Sequence, residues 1–197
     1  MEHNTRSKLI EIAIPLFATK GFVAVSVREL TEAAQSNISA ISYYFNGKEG
    51  LYQAVLEEQL CPLRQALQRA ASKASLSPIE RLTFYADQIA DIHGQRPFLA
   101  RFMHSEVVNA TDIGGPIIEK HISQLYQFIQ SALQEGIVKG DFRGDLNVAF
   151  TAISLIGILN FYFITKPLIC KFMPLTENSN AEYTGHAFRV FLHGILP

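Results

Sequence analysis

Between residues 26 and 47 the chain is punctuated too often for any long element to form. Ser26-Val27-Arg28-Glu29 carries the capping-box pattern, in which Ser26 takes the amide of Glu29 and Glu29 reaches back. Leu30, Ala33 and Ala34 supply the apolar side of a short helix, and Gln35-Ser36 interrupts it. Asn37 is placed to cap a second helix from Ile38 to Phe45, with Ile38, Ile41 and Phe45 facing inward. Asn46-Gly47 breaks the chain again. Asn46 with Glu49 then repeats the capping pattern before a helix through Leu51, Tyr52, Val55 and Leu56. Two short helices joined by three or four residues have helix-turn-helix spacing, in which the second helix enters a major groove. An ordinary packed helical pair has the same spacing, so spacing alone leaves both readings open.

Charge placement bears on the choice. The first fifty residues hold five Lys or Arg against five Glu, and the whole chain has a formal net charge of −1. Neither is the basic signature of a nucleic-acid binder. From Ala33 to Lys48, however, no residue is acidic, and the second short helix turns Asn37, Ser39, Ala40, Ser42 and Tyr43 outward. Such small or hydrogen-bonding side chains can approach base edges and phosphates. A merely solvated face more often carries Glu and Lys. Ser26 and Lys48 stand at helix N-termini, where free amides and the helix dipole attract phosphate.

The flanks read as helices. Leu9, Ile12, Ala13, Leu16 and Phe17 recur at helical spacing, and Gly21 stops that helix. Pro15 removes a backbone bond inside it, so a local bend is expected there. Ser77-Pro78-Ile79-Glu80 opens a helix ending near Gly94, and Pro97 opens another through about Val108. After a loop at 109–115, a long amphipathic helix is expected over 116–135. A glycine-bearing connector follows at 136–144, then two last helices at about 145–165 and 180–196. No segment alternates as a strand would. The fold class is therefore all-α, with about nine helices. Residues 1–48 read as a three-helix N-terminal domain with the helix-turn-helix, and 49–197 as a C-terminal helical domain.

Composition excludes several alternatives. Hydrophobic residues make up 48% of the chain, enough for a sizeable core, and the 18% charged fraction is not that of a disordered chain. Cys61 and Cys170 are far apart and form no CxxC, which favours a reducing, cytoplasmic setting and argues against a disulfide scaffold or zinc finger. No apolar run follows a basic start, so no signal peptide is expected. Residues 148–164 are almost uncharged but lie at the short edge of what spans a bilayer, and Thr151, Ser154 and Asn160 interrupt them. A buried core or interface helix is the better reading, with no membrane partner. No nucleophile elbow, phosphate-binding glycine loop or paired helical metal ligands are present, so no catalytic residue, cofactor or metal is expected. His93, His104 and His121 lack i,i+4 spacing and read as structural or surface residues.

The run VRELTEAAQSNISAISYYFNGKEGLYQAVLEE resembles the helix-turn-helix of the TetR family of bacterial transcriptional regulators, and the preceding LFATKGF resembles that family's first helix. The likeness runs from about Leu9 to Leu56. It rests on Phe17, Gly21, Ser26, Val27, Ala33, Ala34, Tyr43, Phe45, Lys48, Glu49 and Leu51 at their spacings. NISAISYYFNGKEGLY is similar to the branch with the pattern Asn-Ile-x-Ala-Ile-x-Tyr-x-Phe-x-Gly-Lys-Glu-Gly-Leu-Tyr. Two positions depart from the family. Gln35-Ser36 stands where Gly-Val is usual, which makes Gln35 a candidate contact, and Ser42 replaces a common tyrosine. The resemblance implies a DNA-binding regulator, mostly of repressing type. Ser26, Tyr43 and Lys48 would hold phosphates, Arg28 would approach the groove edge, and Asn37, Ser39 and Ser42 would face bases. For Tyr43 a packed aromatic stays open, and for Arg28 a surface pair with Glu32.

The resemblance also implies a small-molecule effector among the C-terminal helices. Phe84, Tyr85, Phe98, Phe102, Tyr126 and Phe150 are candidates for lining its pocket, which would favour an apolar or aromatic effector, and each also suits a plain core. The helix at 145–165 is apolar nearly all round, and Phe188, Phe191 and Leu192 stripe the last helix. Two such helices from each of two copies would form a four-helix interface, making a homodimer that reads a palindrome in double-stranded operator DNA.

Overall fold

The computed structural model describes residues 2–72 and 76–197. Among them the chain is entirely helical, with nine helices and no strand: α1 (Glu2–Ala24), α2 (Val27–Ala33), α3 (Ile38–Phe45), α4 (Lys48–Ser72), α5 (Pro78–Gln95), α6 (Leu99–Val108), α7 (Gly114–Lys139), α8 (Val148–Ile169) and α9 (Ser179–Ile195). They form two compact units. Met1–Cys61 joins Phe98–Lys120 in the first, and Pro62–Pro97 joins His121–Pro197 in the second. The units therefore do not divide after residue 48. A head of three helices is too small to enclose its own apolar face. It recruits the start of α4 and all of α6.

The first unit's core shows how. Leu9, Ala13 and Phe17 of α1, Leu30 of α2, and Ile41 and Phe45 of α3 bury against Leu51, Tyr52, Val55 and Leu56 of α4 and Phe102 of α6. The Tyr52 ring meets Phe17 edge-on and Phe22 at a tilt, each with centroids 5.0 Å apart. Its hydroxyl donates to the buried Glu106 carboxylate at 2.5 Å. Burial, then that carboxylate, keep the phenol protonated far above its ordinary range. Thr111 closes the set, donating its amide and hydroxyl to Glu106 and accepting the Gly114 amide at 2.8 Å, which starts α7. A Cβ on Gly114 would stand 2.4 Å from the Glu106 carboxyl carbon, so only glycine fits.

Pro15 produces no break. The non-helical residue in α1 is Gly21, at φ 79°. Pro15 lies on the exposed side of α1.

In the second unit α5, α8 and α9 pack on one another. The Ser77–Glu80 capping box forms with both bonds, at 2.7 and 3.3 Å. Tyr162 of α8 stacks on Tyr183 of α9 at 4.4 Å, and the Tyr183 hydroxyl donates to the Ile158 carbonyl at 2.6 Å. The connector after α7 turns through Gly140 at φ 80° and inserts Phe142 against Gly136.

His93 is buried and lies flat on Phe163, with centroids 3.9 Å apart. Its Nε2 is 3.2 Å from the Asn160 side-chain oxygen, an acceptor only, so Nε2 carries the proton and donates. The Asn160 amide donates in turn to the Tyr85 hydroxyl and the Ile156 carbonyl. Desolvation lowers the His93 pKa to about 4, against the opposing Asn160 bond and with help from Lys166. The imidazole is a neutral core group.

Two outcomes follow from this packing. In Gly136→Ala the new methyl meets the Phe142 ring at 2.2 Å. Overpacking of about 1–3 kcal/mol should exceed the ~1 kcal/mol of helix propensity that alanine adds. Urea unfolding should show a net loss, whereas Gly144→Ala, which meets nothing within 4 Å, should be near neutral. For His93, the unfolded chain takes up a proton near pH 6.5 and the folded chain only near 4. Its contribution is complete above 6.5 and falls as pH drops toward 4, by up to about 3 kcal/mol. Between pH 6.5 and 5 the unfolding free energy of the wild type should decline more steeply than that of His93→Gln. Parallel slopes would show that His93 titrates as an exposed histidine does.

Candidate nucleic-acid interface

The α2–α3 pair is built from local capping on a fixed core. Ser26 precedes α2 in extended backbone, and its hydroxyl oxygen accepts the Glu29 amide at 3.1 Å. The expected return bond from Glu29 is not made. Its carboxylate instead takes the Lys20 ammonium at 2.5 Å, which holds it below the usual carboxylate range. A full charge nine residues away outcompetes a backbone amide.

The turn closes through Gln35. Its φ is 48°, in the left-handed region, and the next amide, of Ser36, donates back to the Thr31 carbonyl at 2.9 Å. That is the bond pattern glycine serves most cheaply at a helix end. Asn37 then caps α3, its side-chain oxygen accepting the Ser39 amide at 3.2 Å.

α3 buries Ile41 and Phe45 and turns Ser39, Ser42 and Tyr43 to solvent, with Tyr43 74% exposed. Among the described aromatics the Tyr43 ring meets Tyr44 alone, edge-on at 4.9 Å, so it is not a packed core aromatic. Ile38, expected inward, is 56% exposed. Its spacing from Ile41 and Phe45 suggested the buried side, but at the first residue of α3 the structure leaves it largely uncovered. Ile38 borders an open groove with Arg28, Thr31, Glu32, Gln35 and Asn37.

The end of α3 also differs from expectation. Asn46 does not cap α4; it closes α3 in the left-handed conformation, φ 62°, with its amide on the Ser42 carbonyl. Gly50 is close-packed against this end: a Cβ there would lie 1.8 Å from the Phe45 carbonyl oxygen. This glycine lets α4 press against α3. Its only signal in the sequence was its place in GKEG.

The basic groups are already partly engaged. Arg28 pairs with Glu32 at 2.8 Å, the alternative left open by the sequence, but both side chains are largely exposed. Such a pair is worth at most about 1 kcal/mol and can be exchanged for phosphate. The Lys48 ammonium donates to the carbonyls of Phe22 (3.0 Å) and Val25 (2.9 Å) and lies over the Phe22 ring at 4.3 Å. Two of its three donors thus brace the entry to α2, and the third makes no hydrogen bond among the described residues.

The six aromatics considered for an effector pocket are dispersed in role. Phe102 is core of the first unit, and Phe98 packs against that core. Tyr85 is buried in the second unit on Asn160, and Phe84 and Tyr126 are half-buried. Phe150 is 69% exposed on α8, so it lines no interior cavity. It borders an open groove with Leu146, Val190 and Phe191. Among the described residues no group of three His, Cys, Asp or Glu is placed to hold a metal ion.

The comparisons agree with this geometry. The family model described as "Bacterial regulatory proteins, tetR family" matches residues 9–55. The chain is 33% identical over 138 residues to "Probable HTH-type transcriptional regulator YttP" of Bacillus subtilis, spanning 69% of this chain and 66% of that protein, just under two thirds of its length. The fold matches the ketosteroid transcriptional regulator KstR2 of Mycobacterium tuberculosis with TM-score 0.78 at 20% identity, covering 98% of this chain and 95% of the other. It also matches AibR, solved with isovaleryl coenzyme A and operator DNA, with TM-score 0.75 at 16% identity, covering 95% and 98%. These similar proteins are regulators rather than enzymes. The chain belongs to the tetR family of bacterial regulatory proteins.

Proposed function

We propose that this protein is a cytoplasmic, ligand-responsive repressor that binds a palindromic operator as a homodimer and is released by a small apolar or aromatic effector. The observation that carries the reading is the acid-free outer face of α3, where Ser39, Ser42 and Tyr43 stand exposed on a helix anchored by Ile41 and Phe45. DNA contact is assigned to residues 1–48, with Ser26, Tyr43 and the free donor of Lys48 on phosphates, Arg28 at the groove edge, and Gln35, Asn37, Ser39 and Ser42 toward bases. Effector binding and dimerisation are assigned to 49–197. The ketosteroid in the name of one structural neighbour and the branched acyl group of the isovaleryl coenzyme A solved with another favour an effector with an apolar portion. Of the aromatics considered for its pocket, Phe84, Tyr85 and Tyr126 remain candidates.

The dimer is argued from α8. The helix is long and apolar enough to cross a membrane by length and composition alone. Its buried side carries Leu155, Leu159 and Phe163, while Phe150, Ile153, Phe161, Ile164 and Leu168 are exposed. These five run along one side with Gly157 among them, where a Cβ would meet open space. A stripe of about 27 Å, at 1.5 Å per residue, with a glycine at its middle suits close crossing by the same helix of a second copy. Val190 of α9 is exposed beside it. A two-fold dimer of helix-turn-helix proteins reads two half-sites on successive major grooves, about 34 Å apart.

Operator selection from genomic DNA should return a palindrome, and binding to it should weaken steeply with salt, by about 0.9 logarithmic units per logarithmic unit for each phosphate neutralised. Tyr43→Ala should cut affinity at least tenfold and leave the melting temperature unchanged, because the ring is exposed. Lys48→Ala should lower both, because its ammonium also braces α2. Unchanged binding by Tyr43→Ala at moderate salt would move the DNA surface elsewhere. In sedimentation, Phe161→Asp should convert dimer to monomer with helicity retained, and operator affinity should fall with it. A variant that stays dimeric would exclude this face.

A further inference from the structure

We infer that Ile38 is a specificity-determining residue that reads the 5-methyl group of a thymine in each operator half-site. The inference rests on the operator-binding reading above and deepens it. Ile38 is the first residue of α3, the helix whose opposite end and inner side are fixed by Ile41 and Phe45. Its side chain is more than half exposed. The other large exposed side chains of the α2–α3 segment, Arg28, Glu32, Gln35, Asn37 and Tyr43, can hydrogen-bond, as can Ser39 and Ser42. Ile38 is the large exposed side chain there that cannot, and beside it only the methyl groups of Ala33 and Ala40 are apolar.

A base edge in the major groove offers one feature to such a group, the thymine methyl; guanine, adenine and cytosine present donors or acceptors that an apolar contact would strip of water. The surroundings match that role. The groove beside Ile38 is open and carries a guanidinium held only by an exposed pair, the Gln35 amide and the free amino group of the capping Asn37. These are partners for the polar edges of flanking bases. Isoleucine is also stiff at χ1 in a helix, so little rotamer freedom is lost when the methyl packs on it. The contact would leave phosphate binding, and hence overall salt dependence, to the other residues.

The test uses the full-length dimer and the selected operator. Each thymine of a half-site is replaced in turn by uracil, which removes only the methyl group. For the wild type, one position per half-site should weaken binding about three- to fivefold, the effect of losing one buried methyl. Ile38→Ala should bind the original operator more weakly by a similar factor and be indifferent to uracil at that position alone, with its melting temperature and salt slope unchanged. Ile38→Val should be intermediate. If no thymine responds, or if Ile38→Ala keeps the wild-type sensitivity, the assignment is overturned while operator binding stands. If no operator can be selected, the parent reading falls and this one with it.

Discussion

The hydrogen bond from Tyr52 to Glu106 is the interaction on which the N-terminal unit depends. A buried carboxylate is expensive unless its oxygens are satisfied. Here the phenol takes one oxygen, and the amide and hydroxyl of Thr111 take the other. The set ties α4 to α6 and to the start of α7, with the Phe17, Phe22 and Phe102 rings packed around the Tyr52 ring. Removing one partner would leave a charge in an apolar core, so the arrangement is held together as a whole. Ile41 and Phe45 bury into the same cluster as Tyr52 and Phe102, so the outward residues of α3 take their direction from the core that this set closes.

That dependence explains what the sequence could and could not reveal. Helix type and order were legible because caps and apolar spacing are local: Ser77 and Glu80, Asn37, and the run from Leu9 to Phe17 behave as their neighbours dictate. Positions decided by distant partners were not. Glu29 has the spacing of a capping box, yet Lys20 competes for it across the head. Lys48 has the look of a surface cation, yet two carbonyls more than twenty residues away hold it. Phe98 and Phe102 suit a ligand cavity by type, but the head needed α6 to complete its core. Ile38 shows the remaining limit. Helical period assigns a face, while exposure depends on whether anything lies opposite that face.

Gln35 adds a cost to the same region. A non-glycine residue at positive φ is strained by about 1–2 kcal/mol in left-handed backbone, and the turn it makes is one that glycine makes freely. The bond from the Ser36 amide to the Thr31 carbonyl offsets part of that strain, while the Gln35 side chain itself is exposed. Strain without a packing partner is consistent with a role for the side chain in a complex, and the amide is long enough to project over the groove beside Ile38.

The neutral charge of the head is compatible with DNA binding because charge acts by placement. Glu29 and Glu32 offset two of the basic residues on paper, but each is paired within the head, to Lys20 and Arg28. Those pairs are exposed and weak, and a phosphate approaching Arg28 would replace one anion with another at little cost. These two carboxylates therefore do not repel an anion as free ones would. Meanwhile α3 itself presents none, so its outer face carries hydrogen-bonding groups with Ile38 and the partly exposed Ala40, while the charged residues lie at its margin. Average charge measures solubility and long-range steering; the reading surface is set by which side of α3 the core leaves uncovered.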